Sequence, residues 1–278
     1  MSRKIPITVS SWTLGDACSF ESRCRAAHLA GYDGIGLRAE TYVDALNEGL
    51  SNQQILSILE QYQLKCTEVE YIVQWCEDKR SYEQQYKEQI CFQMCDFFGV
   101  KHINTGLLEN YSVEKTAKKL QELCQRAGNL QIALEPMPYS GLPDLKKTWQ
   151  VIQAAGCENA KMLLDVWHWV RSKQSFDLLT KEQAAKVISI QLDDVYQRPY
   201  AASVLRAESM HDRLVPGAGA AQAVKFVEMI KHAGVKPQVI GVEVISDEAL
   251  AHGIEWTATQ TFKHTYQVLQ NAWPEILQ

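Results

Sequence analysis

The 278 residues carry 46% hydrophobic and 22% charged side chains, the balance of a globular chain rather than a disordered one. A net charge of −5, with no Lys/Arg cluster beyond pairs such as Lys118-Lys119 and Lys146-Lys147, argues against nucleic acid and towards a small-molecule substrate. No apolar run approaches the ~20 residues that cross a bilayer, and "MSRKIPITVSSW" is too short and interrupted for a signal segment. A cytoplasmic protein with no membrane partner is therefore expected.

In chain order, one motif recurs: an amphipathic helix, a Gly or Asn near its end, then a short β-branched run. "CRAAHLAGYDGIGL", "CDFFGVKHIN", "CQRAGNLQIALE", "VIQAAGCENAKMLLD" and "IKHAGVKPQVIGVE" all show it. The Gly suits the left-handed position that closes a helix, and the continuous apolar run suits a strand covered on both faces. Strands are predicted near 5–11, 33–38, 65–70, 101–105, 130–135, 161–165, 187–191 and 238–243. Helical patterns separate them, as at Ser51–Tyr62, Tyr82–Phe98, Val113–Arg126 and Ala221–His232. Eight β/α units without a linker predict an α/β chain, a single-domain (β/α)8 TIM barrel over residues 1–278. A doubly wound sheet would want a Gly-rich turn after its first strand, and "SSWTLGDA" is a poor one.

The eight cysteines are scattered with no CxxC pair; Cys91 and Cys95 share one helix face, but their aromatic and Met neighbours point to core. A long polar segment from Leu192 to Gly217 follows the seventh strand. Such loops serve as lids or binding loops, and in a barrel this one lies on the C-terminal face with the active site. It could equally form a subunit contact in a homo-oligomer.

The last four strands end alike. "QIALE" closes on Glu135, "KMLLD" on Asp165, "VISIQ" on Gln191 and "VIGVE" on Glu243. Equivalent heights on neighbouring barrel strands converge on one point. Three carboxylates there would repel by about 4 kcal/mol per pair at 4 Å and an effective dielectric of 20, so some would take up protons unless a cation intervened. A divalent ion removes that cost, and four oxygen donors favour Mn²⁺ or Mg²⁺, with Zn²⁺ or Co²⁺ less well matched.

With these residues in view, "LEPMP", "LLDVWHWVRS", "SIQLDDV", "HDRLVPGAG" and "GVEV" resemble the signature segments of the xylose isomerase-like TIM barrels. That superfamily includes sugar phosphate isomerases/epimerases, inositol-catabolism enzymes and 3-dehydroshikimate dehydratases. The resemblance spans essentially the whole chain and is concentrated in its C-terminal half. It implies that Glu135, Asp165, Gln191 and Glu243 bind one divalent metal, that His168 contacts substrate, that Arg213 closes on it, and that Asp194 supports the loop. Two residues depart from the pattern. Gln191 stands where most relatives have His, as in some dehydratase-like members, and Ala218 stands where "PGEG" has Glu.

Aromatics gather at the predicted strand tops: Trp12, Tyr71, Trp75, Trp167 and Trp169. Such rings can cover the C–H face of a polyhydroxylated substrate. Arg38, Glu40, Glu68 and Glu70 end strands two and three, as candidates for specificity or for ion pairs at the surface. The expected chemistry is a metal-stabilised enediolate, with Glu135 and Glu243 removing and returning a proton and His168 and Arg213 orienting the substrate oxygens. That describes an isomerase/epimerase of a sugar, sugar phosphate or inosose-like compound. The same enolate can expel a β-hydroxyl, so a 3-dehydroshikimate dehydratase-like lyase is the alternative. A non-catalytic metabolite-binding barrel is the third reading. The multi-zinc endonuclease branch of this fold needs many histidines near the site, and of seven only His168 is so placed.

Overall fold

In the computed structural model, which describes residues 3–198 and 200–278, eight parallel strands close into one barrel. They are β1 (Ile7–Ser10), β2 (Gly34–Arg38), β3 (Lys65–Ile72), β4 (His102–Thr105), β5 (Gln131–Leu134), β6 (Ala160–Asp165), β7 (Val187–Leu192) and β8 (Val239–Val242). Each pairs with the next and β8 closes on β1, so the predicted (β/α)8 architecture is the observed one. The expected strands overlap all eight. Most of the differences are one or two residues at the ends, where the ladder frays into loops.

The helices start and stop for local reasons. Ser51 and Ser81 each cap a helix through a reciprocal bond with the Gln three residues on, which sets the starts of Asn52–Gln61 and Tyr82–Phe98. Gly99 sits at φ 72° just past the latter, in the left-handed region that ends a helix without steric cost. No helix among the described residues is long and apolar enough to cross a membrane. The cysteines are all free, and Cys91 and Cys95 are buried, their thiols turned to the carbonyls of Glu70 and His102. The core reading of that pair holds.

Most of the apolar core lies between the sheet and the helices. Inside the barrel the packing is unusually polar. Thr8, Ser10, Glu68, Glu70, His102, Asn104, Ser189 and Gln191 are all buried, and Gly36 and Gly241 leave them room. A Cβ on Gly241 would stand 2.8 Å from the Gln191 side chain and 2.9 Å from Glu68 Oε2. A larger residue there would force this interior apart.

The segment after β7 is not a structureless loop. It contains a 3-10 turn, Ala202–Val204, and a short helix, Leu205–His211; Pro199 lies outside the described residues. Asp194 ties its ends together. Its Oδ1 accepts from the backbone N–H of Val195 and Ala221, and its Oδ2 from Gly217, at 2.7–2.9 Å. The short helix docks through the buried Arg171–Glu208 ion pair and a Ser209–Tyr139 hydrogen bond of 2.8 Å.

Candidate active site at the C-terminal mouth of the barrel

Glu135 follows β5, Asp165 ends β6, Gln191 pairs with it in register on β7, and Glu243 follows β8. All four predicted residues are buried, at 8% exposure or less. Parallel register carries them to one level, because consecutive strand ends of a closed barrel point into a common mouth.

His168 is set by local geometry. Asp165 caps the helix Val166–Arg171 by accepting from the His168 N–H at 2.9 Å, which turns the imidazole back towards β5. His168 Nε2 comes within 3.4 Å of Glu135 Oε1. Donor atoms of Glu135, Asp165 and His168 lie within 4.8 Å of one another, so an imidazole nitrogen stands with two of the predicted oxygen ligands, while Glu243 lies outside this group and pairs with Arg213. Burial, reinforced by the Arg213 guanidinium, holds the His168 pKa well below its ordinary value, so the ring is neutral near pH 7 and able to ligate or accept.

Arg213 arrives from the far end of the segment that Asp194 secures. Its Nη1 stands 2.9 Å from Asp165 Oδ2, 2.7 Å from Asp193 Oδ2 and 3.1 Å from Glu243 Oε2. It also donates to the Glu243 carbonyl, and its Nε donates to the Ser209 carbonyl. Burial opposes the charge on this guanidinium, but Asp165, Glu243 and Asp193 together outweigh it and push the pKa well above the ordinary arginine value. Asp193 was not singled out in the sequence, where attention falls on its neighbour Asp194. It is fully buried and anchors both Arg213 and the Trp167 N–H. Its signal was the doubled Asp immediately after a buried strand.

The carboxylates hold protons more firmly than free ones. Burial, then Glu243 and Asp165, raise Glu135 well above its ordinary value; burial raises Glu243 to about 7 even though Arg213 pulls it down. Glu70, buried and faced by Glu243 and Glu68, is pushed up to about 8. Glu68 and Glu70, read from the sequence as strand-end or surface groups, belong to the interior of the barrel. Asn104 Nδ2 donates to both, Ser189 donates to Glu68, and Gln191 Nε2 donates to Glu70 Oε1 at 3.3 Å. The last bond points the Gln191 carbonyl away from Glu70. The alternation in "TEVEY" was the available clue.

The donor set suits a divalent cation. Glu135 Oε1 and Gln191 Oε1 are buried without a hydrogen-bond partner among the described residues, and buried acceptors of that kind are costly unless something binds them. The Arg213 guanidinium nestles among the remaining carboxylates, which shows how strongly this pocket stabilises positive charge.

The mouth opens into a cavity of about 180 Å³ lined by Trp12, Arg38, Tyr71, Lys87, Tyr139 and Arg206 above Glu135, His168, Arg213 and Glu243. It is smaller than drug-sized sites of ~300–1,000 Å³ and fits a small metabolite. Tyr71 donates to Glu135 Oε2 at 2.6 Å, leaving Oε1 as the free edge of that carboxylate. Of the predicted aromatics, Trp12 and Tyr71 line the cavity. Trp167 packs edge-on beneath His168, with ring centroids 5.0 Å apart. Trp75 and Trp169 are core: the first donates to the Gly106 carbonyl and the second packs on Phe226.

With an all-parallel closed barrel of eight strands and helices outside it, the chain is a (β/α)8 TIM barrel. It matches the family described as Xylose isomerase-like TIM barrel over residues 24–260 and belongs to that family. Among curated proteins, none matches the sequence. Its fold is similar to that of solved structures at low identity. An IOLI protein with a binding zinc atom is 17% identical, with a TM-score of 0.83, covering 97% of this chain and 99% of that one. The probable 3-DHS dehydratase AsbF from Bacillus anthracis, involved in petrobactin synthesis, is 12% identical at a TM-score of 0.74, with 95% and 98% covered. An L-ribulose 3-epimerase is 12% identical at a TM-score of 0.72, with 98% and 96% covered.

Proposed function

We propose that the protein is a divalent-metal-dependent isomerase or epimerase of a small polyhydroxylated carbonyl compound. The observation that carries this reading is that Glu135, Asp165, Gln191 and Glu243 stand buried at neighbouring strand ends, Glu135 and Glu243 lining one small cavity, and Glu135 and Gln191 each presenting a buried oxygen unpartnered among the described residues. These four residues would hold the metal, with His168 close enough to add a nitrogen. When bound, the metal supplies Lewis-acid stabilisation of a developing oxyanion.

The rest of the chemistry falls to side chains. Glu243, which lines the cavity, would take a proton from the α-carbon. Glu135, its carboxylate plane fixed by Tyr71, would return a proton on the other side. Neutral His168 and the Arg213 guanidinium orient the substrate oxygens. Return to the neighbouring carbon, with the proton of the adjacent hydroxyl passing to the former carbonyl oxygen, gives isomerisation, and return to the opposite face of the same carbon gives epimerisation.

A second reading is supported by Gln191, an amide where most relatives resembling this chain have imidazole. Under it, the protein is a dehydroshikimate dehydratase-like lyase that loses a β-hydroxyl from the same enolate. Metal content of the wild type and Glu243→Gln tests the site; a wild type that carries no divalent ion at millimolar Mn²⁺, Mg²⁺, Co²⁺ or Zn²⁺ sinks both readings. Proton-exchange NMR in deuterated water over ketoses, inososes and dehydroshikimate then separates them. Deuterium at the α-carbon without water loss is expected. Water loss identifies the lyase, and no exchange with any compound leaves a metabolite-binding barrel.

A further inference from the structure

The cavity is electrically divided. Its buried floor holds Glu135, His168, Arg213 and Glu243, and the single cation there is already matched by three carboxylates. The charged residues at its outer end are all cations: Arg38, Lys87 and Arg206. In a chain of net charge −5 this local excess runs against the average. Arg38 is ordered before any ligand arrives, because its guanidinium lies 3.6 Å over the Trp12 ring. Glu40 is the one carboxylate paired with Arg38 and Lys87, while Arg206 is exposed and forms no ion pair among the described residues. Three cations against one carboxylate leave a net positive rim facing a net acidic floor.

Building on the proposed reaction at the floor, we infer that the substrate is an anion, a polyhydroxylated compound whose carboxylate or phosphate is held by Arg38, Lys87 and Arg206 while its carbonyl end reaches the floor. A stacked guanidinium presents its N–H edge in the plane that a carboxylate or phosphate matches. Lys87 adds a point charge, and Arg206, on the short helix Leu205–His211, lines the same cavity and adds a third. This polarity also sets direction, since the unneutralised positive charge lies at the rim and draws an anionic group there.

The test is isothermal titration of the full-length protein, both chelator-treated and Mn²⁺-loaded, with matched pairs: shikimate against methyl shikimate, ribulose 5-phosphate against ribulose, and inorganic phosphate alone. One anionic member is expected to bind at least tenfold more tightly than its neutral partner, and the pair that shows it tells carboxylate from phosphate. Arg206→Gln, an exposed position that does not threaten folding, should lose about three- to tenfold for the anion and nothing for the neutral partner, and Arg38→Gln should do the same. The inference is overturned if neutral partners bind as tightly in both pairs, if the preference survives in the variant carrying both Arg38→Gln and Arg206→Gln, or if neither anion nor phosphate binds at 10 mM. The anion preference is read in the chelator-treated protein, so its failure is separate from a failure of the metal-dependent chemistry, which Glu243→Gln and metal content report.

Discussion

Replacing Arg213 by Gln removes the one internal cation of the site and leaves Asp165, Asp193 and Glu243 facing one another. Each contact, at 2.7–3.1 Å, is worth about 5–6 kcal/mol of gross attraction at an effective dielectric of 20. Desolvation of the buried guanidinium cancels most of that sum, and breaking such a network typically costs about 3–5 kcal/mol. For a chain of this size that corresponds to a fall of roughly 6–20 °C in Tm. The sign of the pH dependence follows from raised carboxylate pKa values. A carboxylate whose folded-state pKa lies above its unfolded value contributes stability below about pH 4.5, and that stability is lost as pH rises through the folded value, about 7 for Glu243. Without Arg213 these groups shift higher still and accept protons at pH 5, so the deficit of the variant should be small at pH 5 and largest at pH 8. Circular-dichroism melts in chelator at the two pH values measure this, and millimolar Mn²⁺ at pH 8 should restore more of the Tm in the variant than in the wild type, since the metal replaces the lost cation. Equal melting temperatures at pH 8 in chelator, or a deficit that grows towards pH 5, would refute the reasoning.

Two further outcomes are expected. Asp194→Ala strands the N–H groups of Val195, Gly217 and Ala221, costing roughly 2–4 kcal/mol; hydrogen exchange should speed up across Leu205–His211 and not across β5, and unchanged exchange in the helix would contradict the role given to Asp194. Gln191→His substitutes a stronger donor at the cost of the bond to Glu70, and titration should show affinity rising about tenfold or more for Zn²⁺ and Co²⁺ and little for Mg²⁺; a gain confined to Mg²⁺ would argue against residue 191 as a ligand.

Much of this protein can be read without coordinates. The eight strands and their helices are local statements: apolar runs of the right length, Ser and Asp caps, and a Gly just past several helix ends each act within a few residues. Four oxygen-bearing residues closing consecutive strands are also legible, because the parallel barrel converts equal position along a strand into equal height. Ala218 departs from the resembling pattern, and nothing in the structure explains what replaces the missing carboxylate.

What only the tertiary structure decided is which side chains turn inward and which distant ones meet. Glu68 and Glu70 look like strand-end acids in sequence, yet barrel closure sends them inside, where Asn104 donates to both, Ser189 to Glu68 and Gln191 to Glu70. Asp193 could not be told from Asp194 by residue type; the chain direction after β7 buries one against Arg213 and gives the other to the backbone of the loop. Trp75 and Trp169 went to core and Trp12 to the cavity for the same reason. Arg213 itself reaches the carboxylates only because the segment after β7 folds into a short helix pinned by Asp194, Glu208 and Ser209. Periodicity and capping are written within a turn or two of chain, whereas the meeting of Arg213 with Asp165 and Glu243 depends on loop closure and packing across the whole barrel mouth, which no local pattern encodes.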